Sequence, residues 1–142
     1  MEQDEKRQGA VDFGRAMVFR EPNCAMEARE FRVPSKVGEG ELLVEMRLAA
    51  VCGSDLHTYL GRRVEPVPSI LGHEGVGRVI LAGSGRGAFR VGDRVTWSLV
   101  DTCGHCDRCG RYDLPQKCGE MFKYGHARWE EGDPPNGCYA TH

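Results

Sequence analysis

Four cysteines within sixteen residues constrain this chain more than any other feature: Cys103-Gly-His-Cys106-Asp-Arg-Cys109-Gly-Arg-Tyr-Asp-Leu-Pro-Gln-Lys-Cys118. The first three are separated by two residues each and the fourth follows after eight. Two-residue gaps let neighbouring sulfurs point into one centre, while the turn between them brings backbone NH groups to their charge. Four thiolates at tetrahedral corners suit Zn²⁺, which takes soft sulfur ligands and, in a closed site, needs no other partner. A pair of disulfides or a redox Cys-x-x-Cys is the competing reading, and the clustering favours zinc. Such a metal stabilises folding and does no chemistry, because it keeps no open position. His105 lies between two of the cysteines, and four thiols already complete the tetrahedron without it.

The chain has 142 residues, enough for one domain with a real core. Nineteen Lys and Arg against 21 Asp and Glu give a net charge of −2. This near balance argues against nucleic acid as a partner, which calls for a basic stripe, and against a polybasic membrane surface. No apolar run is long enough to span a bilayer. The first residues, Met1 to Gly9, are polar and charged and lack the apolar core of a secretory signal. Residues 1–14 are expected to form a flexible polar tail. Seven cysteines with metal-like spacing and no such signal imply a reducing, cytoplasmic setting.

Nineteen glycines and seven prolines suit a loop-rich β domain. Short strands are expected at Ala16–Phe19 and Phe31–Val33, with a turn at Glu21–Cys24 between them. Residues 42–51 alternate, with Val44, Met46 and Leu48 on one side and Glu45 and Arg47 on the other. Ser54–Leu60 reads as a short helix capped by Ser54 and ended by Gly61. Further strands are expected at Gly75–Ala82, Asp93–Ser98 and from Gly137 to Ala140. Many short strands with glycine turns suggest an antiparallel barrel or sandwich. Gly83-Ser-Gly85-Arg-Gly87-Ala88 fits the relaxed dinucleotide pattern, but the next turn and strand begin too soon for the required helix, so a glycine hairpin is the better reading. Cys24 and Cys138 read as core or strand positions, Trp97 as core or pocket wall, and His126 and His142 carry no argument.

A second constellation lies upstream, in Val51-Cys52-Gly53-Ser54-Asp55-Leu56-His57 and Gly72-His73-Glu74-Gly75-Val76-Gly77. A thiol and an imidazole on separate elements are ligand types of a catalytic zinc that keeps one position open. Their spacing alone fixes no geometry, and a core cysteine with a surface or hydrogen-bonded histidine is the favoured reading of the pair by itself.

The motifs taken together carry more. Cys52-Gly-Ser-Asp-x-His57, Gly72-His73-Glu74-x-x-Gly77-x-Val79, Gly92-Asp93-Arg94-Val95 and the cysteine lobe stand in the order found in zinc-dependent medium-chain alcohol dehydrogenases. Residues 15–142 resemble that family's N-terminal catalytic domain, and 114–118 with 123–126 look most like its members associated with phosphonate metabolism. The resemblance implies a mainly β fold, a GroES-like, partly open barrel with short helices and a structural zinc lobe at 100–122. It implies that Cys52 and His73 hold a catalytic zinc, with Glu74 behind it as a further acidic ligand. Ser54 matches the hydroxyl that takes the alcohol proton, and His57 the outer end of that relay. Asp55 matches a residue that orients His73 by accepting its spare ring NH. Cys103, Cys106, Cys109 and Cys118 match the structural zinc set, with one residue more before the last cysteine than is usual, which should bulge that loop.

The implied function is oxidation of an alcohol to a carbonyl with hydride transfer to NAD or NADP, on small-molecule substrates, in a protein that commonly forms homo-oligomers. The sequence shows no counterpart of the family's Rossmann domain or of its later zinc ligand. The expectation is therefore a fragment inactive alone. The alternative is a non-catalytic zinc-binding β-barrel that serves as a scaffold or binding module.

Overall fold

The structure, a computed structural model, describes residues 13–85, 87 and 89–142. Most of the expected polar tail lies outside the described residues, but Phe13 and Gly14 do not belong to a tail. They open strand β1 (Phe13–Phe19), which buries Gly14, Ala16, Val18 and Phe19 and exposes Phe13, Arg15 and Met17. That two-residue period is the signature of a strand with one face on a core. β1 pairs antiparallel with β2 (Glu27–Arg32), from Phe13 opposite Arg32 to Val18 opposite Glu27. Its other edge receives β4 (Ser69–Ile70). Both β1 and β2 run longer than the apolar pattern suggests, because the paired charged residues on their outer face hide the period.

A second sheet has the order β3 (Leu42–Ala49), β5 (Gly75–Ala82), β6 (Arg94–Val95). β5 matches its sequence reading residue for residue. β3 does not keep the expected face. Register shifts at Leu43/Val44 and Met46/Leu48 interrupt the pairing, so the buried residue is Leu43 and Leu48 is left 63% exposed. A bulge adds one unpaired residue and reverses the inside–outside alternation beyond it. Strand β6 is far shorter than residues 93–98, and Thr96–Ser98 are irregular.

The two sheets are joined by residues 137–142. Met17 N donates to Tyr139 O at 2.8 Å and Thr141 N to Arg15 O at 2.9 Å, on the β1 side. Met46 N donates to Thr141 O at 2.9 Å, on the β3 side, while Tyr139 N and Cys138 N donate to Leu71 O and Gly72 O. Ala140 bridges Ala16. One extended segment thus closes the sheets into a partly open barrel. Gly137 admits this approach, since a side chain there would run into the Ile70 carbonyl. The core beneath it holds Ala16, Val18, Phe31, Ile70 and Trp129, with Tyr139 and Ala140 packed against it.

Helix α1 (Gly53–Tyr59) starts one residue earlier than expected, with Cys52 rather than Ser54 at the cap. It ends at Gly61, whose φ of +70° suits glycine. The cysteine lobe projects from a two-stranded base, β7 (Val100–Asp101) with β8 (Phe122–Lys123). Among the described residues every strand pairing is antiparallel, and no helix is long and apolar enough to cross a membrane.

Candidate metal centres and active site

In the lobe, a π-helical turn at Asp107–Arg111 and a short 3₁₀ turn at Pro115–Lys117 fold the four thiols inward. The wide turn and the left-handed Asp113, at φ 49°, accommodate the extra residue before Cys118. Sulfur separations are 3.4 Å for Cys106–Cys109, 3.6 Å for Cys103–Cys118 and 4.0 Å for Cys103–Cys109. A tetrahedron with Zn–S bonds of about 2.3 Å has edges of about 3.8 Å, so the donor set fits that ion. All are far longer than a disulfide bond of about 2.05 Å, and every cysteine is free. Hydrogen bonds from the Cys109 backbone and thiol hold Cys106 down at about 6, while desolvation and Cys106 push Cys109 up to about 12. Four sulfurs this close ionise together only around a cation. The Cys106 and Glu120 amides each donate to a sulfur at 3.4 Å. His105 is exposed and turns its Nδ1 to the Cys103 carbonyl at 2.8 Å, although its other contacts bring it near Cys103 and Glu120.

The upstream constellation also converges. Cys52 Sγ lies 3.4 Å from His73 Nε2 and 2.9 Å from Ser54 Oγ. A metal held by bonds of about 2.3 Å to sulfur and 2.0–2.1 Å to nitrogen at a tetrahedral angle sets those atoms about 3.6 Å apart, so this pair also fits zinc. Cys52 comes from the cap of α1 and His73 from the turn into β5, so the meeting depends on Asp55. Its carboxylate accepts from Cys52 N at 3.0 Å, Gly72 N at 3.2 Å and the Tyr139 hydroxyl at 3.0 Å. Burial alone would push Asp55 up, but these donors and the nearby His73 outweigh it and leave the carboxyl below its ordinary range.

Two expected placements change here. The Asp55 carboxylate accepts from two amides and a phenol, and no hydrogen bond joins it to the spare ring nitrogen of His73. His73 Nδ1 is buried without a hydrogen-bond partner. Glu74 is exposed and lies outside the group of possible ligand atoms formed by Cys52, Asp55 and His73. Glu74 and His73 instead share the wall of an open cavity of about 580 Å³, whose apolar surface comes from Leu48, Val76, Trp97 and Leu99. His57 is exposed on α1, three residues from Ser54 and so on the same side of the helix.

Three residues near this site had no signal in the sequence. Tyr139 anchors Asp55. His126 stacks on His73 with ring centroids 4.9 Å apart, and Glu65 holds His126 by a 3.0 Å hydrogen bond to Nδ1. All three reach the site through long-range packing, which no local motif encodes.

Comparisons with known proteins identify the domain. The alcohol dehydrogenase GroES-like domain family matches residues 38–142. The L-threonine 3-dehydrogenase of Edwardsiella ictaluri is 40% identical over 77 residues, 51% of this chain and 23% of that enzyme. The crystal structure of an alcohol dehydrogenase from Thermotoga maritima superposes with a TM-score of 0.79 at 36% identity, over 92% of this chain and 38% of that one. An alcohol dehydrogenase from E. coli CFT073, solved with NADH, gives 0.74 at 29% identity, over 93% and 35%. The chain thus spans about a quarter of the length of its curated relatives and somewhat over a third of these structures. With the barrel, the thiol lobe and the Cys52–His73 pair in place, the chain belongs to the zinc-dependent medium-chain alcohol dehydrogenase family, as its GroES-like N-terminal catalytic domain.

Proposed function

We propose that this chain supplies the zinc-bearing half of an NAD(P)-dependent dehydrogenase that oxidises an alcohol to a carbonyl. The observation that carries the reading is the 3.4 Å approach of Cys52 Sγ to His73 Nε2, with Ser54 Oγ beside the sulfur and His73 on the wall of an apolar cavity. Cys52 and His73 would hold the catalytic metal, and Glu74 lines the same cavity wall outside that ligand cluster. Zinc bound there supplies Lewis-acid activation of an alcohol hydroxyl. Leu48, Val76, Trp97 and Leu99 take the carbon skeleton and keep water from it. Ser54 Oγ receives the hydroxyl proton, and His57, exposed on the same side of α1, passes it to solvent. Cys103, Cys106, Cys109 and Cys118 would hold a second, structural zinc outside the chemistry.

Hydride goes to a nicotinamide, and the described residues contain only antiparallel pairings, not the parallel βαβ unit that holds one. On this reading the nicotinamide is held by another part of the dehydrogenase, and the 142-residue chain by itself does not reduce NAD(P). Metal analysis tests the core of the reading. Two zinc ions per chain are expected, one of them lost in Cys52→Ala and in His73→Ala. A single zinc that persists in both variants would leave only a sulfur-clamped scaffold. Alcohol-dependent NAD(P)H absorbance from the isolated chain would overturn the division of labour.

A further inference from the structure

A ligating imidazole is ordinarily oriented by a hydrogen bond to its second ring nitrogen. His73 lacks one, since its Nδ1 is buried without a partner. Something else must fix the ring so that Nε2 faces Cys52. The ring of His126 lies against it, with centroids 4.9 Å apart and planes 33° apart, inside the attractive range for aromatic pairs of about 4.5–7 Å. His126 is itself immobilised. Its Nδ1 donates to Glu65 Oε1 at 3.0 Å, and the two side chains are only 5% and 8% exposed. Arg63 Nε meets the same carboxylate oxygen at 2.6 Å.

The backbone shows why these rings can meet. Gly125, immediately before His126, presses on the backbone of Gly72, immediately before His73. A side chain at Gly125 would collide with Gly72, and Gly125 has φ +72°. Trp129 N donates to Pro68 O at 2.8 Å, so residues 125–129 run along the segment that leads into His73. Two glycines touch, and the histidines that follow them stack.

We propose that Glu65 and His126 form a positioning pair that sets the ring orientation of His73 through tilted ring-on-ring packing, in place of the missing hydrogen bond. The inference rests on the reading of Cys52 and His73 as metal ligands. Its consequence is selective: loss of the pair weakens the Cys52–His73 metal site and leaves the four-cysteine site untouched. The requirement at 126 is a flat ring, and at 65 an acceptor for its NH.

The test is a chelator competition titration of the 142-residue chain with Co²⁺, read from the visible cobalt spectrum. Wild type should bind two ions with separable affinities. His126→Ala should weaken the site that depends on Cys52 by roughly 10–100-fold, the usual effect of removing a group that orients a ligand, and should shift its cobalt bands. His126→Phe, which keeps the flat face, should restore affinity to within a few-fold. Glu65→Gln, which still accepts the His126 proton, should stay close to wild type, whereas Glu65→Leu should resemble His126→Ala. Should His126→Ala fail to fold, His126→Leu, which fills the space without a ring, takes its place. Unchanged affinity and spectrum in the Ala or Leu variant, or a His126→Phe loss as large as theirs, overturns the proposal. If wild type binds only one ion, at the four cysteines, the metal-ligand reading itself fails instead.

Discussion

Asp55 is the residue on which the active-site geometry turns. It is 4% exposed and binds two backbone amides and the Tyr139 hydroxyl, which belong to three separate stretches of chain. Asp55→Ala would leave those donors buried and unpaired, at a cost of about 3 kcal/mol measured by denaturant unfolding. The charge can be separated from the shape by pH. The carboxyl is held below the ordinary value of 3.8 in the folded chain, so in the window beneath that value the unfolded chain binds the extra proton. Its stabilisation is therefore complete above the ordinary range and is lost as pH falls through the lowered value. Asp55→Asn should have a flatter acid limb than wild type; an identical limb would show that Asp55 carries no such linkage.

The candidate ligands are more legible in the sequence than their supports. The four lobe cysteines stand out by residue type and spacing, whereas Cys52 and His73 stand out only through the order of motifs that resembles the family. Asp55 is legible as a neighbour of the site but not in its partners, since these come from Gly72 and Tyr139. Glu65 and His126 lie 61 positions apart, and nothing local joins them. Cys24 shows the opposite failure. It reads as an apolar position, yet the turn after β1 leaves it exposed. Cys138 is buried as expected, and burial pushes its thiol up to about 11.

Among the elements, β1 and the short β4 carry the packing. Ile70 is fully buried in the cluster with Val18, Phe31 and Trp129. Ile70→Ala should cost about 2–5 kcal/mol in urea unfolding. Val64, in the loop before β4, is 95% exposed, and Val64→Ala should change stability by less than about 0.5 kcal/mol. A loss at Ile70 no larger than at Val64 would mean that the barrel core lies elsewhere. Element legibility followed the same division. Gly75–Ala82 was readable because Val76 and the Val79–Leu81 run flank a single charged residue, Arg78. β3 was misread beyond Leu43 because bulges leave no mark in residue type. β1 and β2 were underestimated because charged residues occupy both faces of β2: Glu30 pairs with Arg15, while Arg29 and Glu27 stand opposite the buried Ala16 and Val18.

At the scale of the molecule, the barrel and the lobe depend on different forces. The barrel is closed by hydrogen bonds between residues far apart in sequence, such as Arg15 with Thr141. The lobe has little apolar burial and is gathered around four sulfurs. Chelation should therefore loosen residues 100–123 first. Hydrogen exchange in the presence of a strong chelator should speed up at the amides of Cys106, Gly110 and Cys118 while those of Val18 and Val79 stay slow. Equal acceleration at both sets would show that the metal supports the whole domain rather than the lobe.

The closing strip at residues 137–142 also gives the molecule a birth order. During synthesis the four lobe sulfurs leave the ribosome together and need only one another, so they can capture their ion early. Cys52 emerges long before the Tyr139 that props its helix, and until that phenol arrives the thiol and His73 have no fixed meeting place. On the proposed reading the lobe would take its metal first and the Cys52–His73 pair last, once almost the entire domain is free to shut around it.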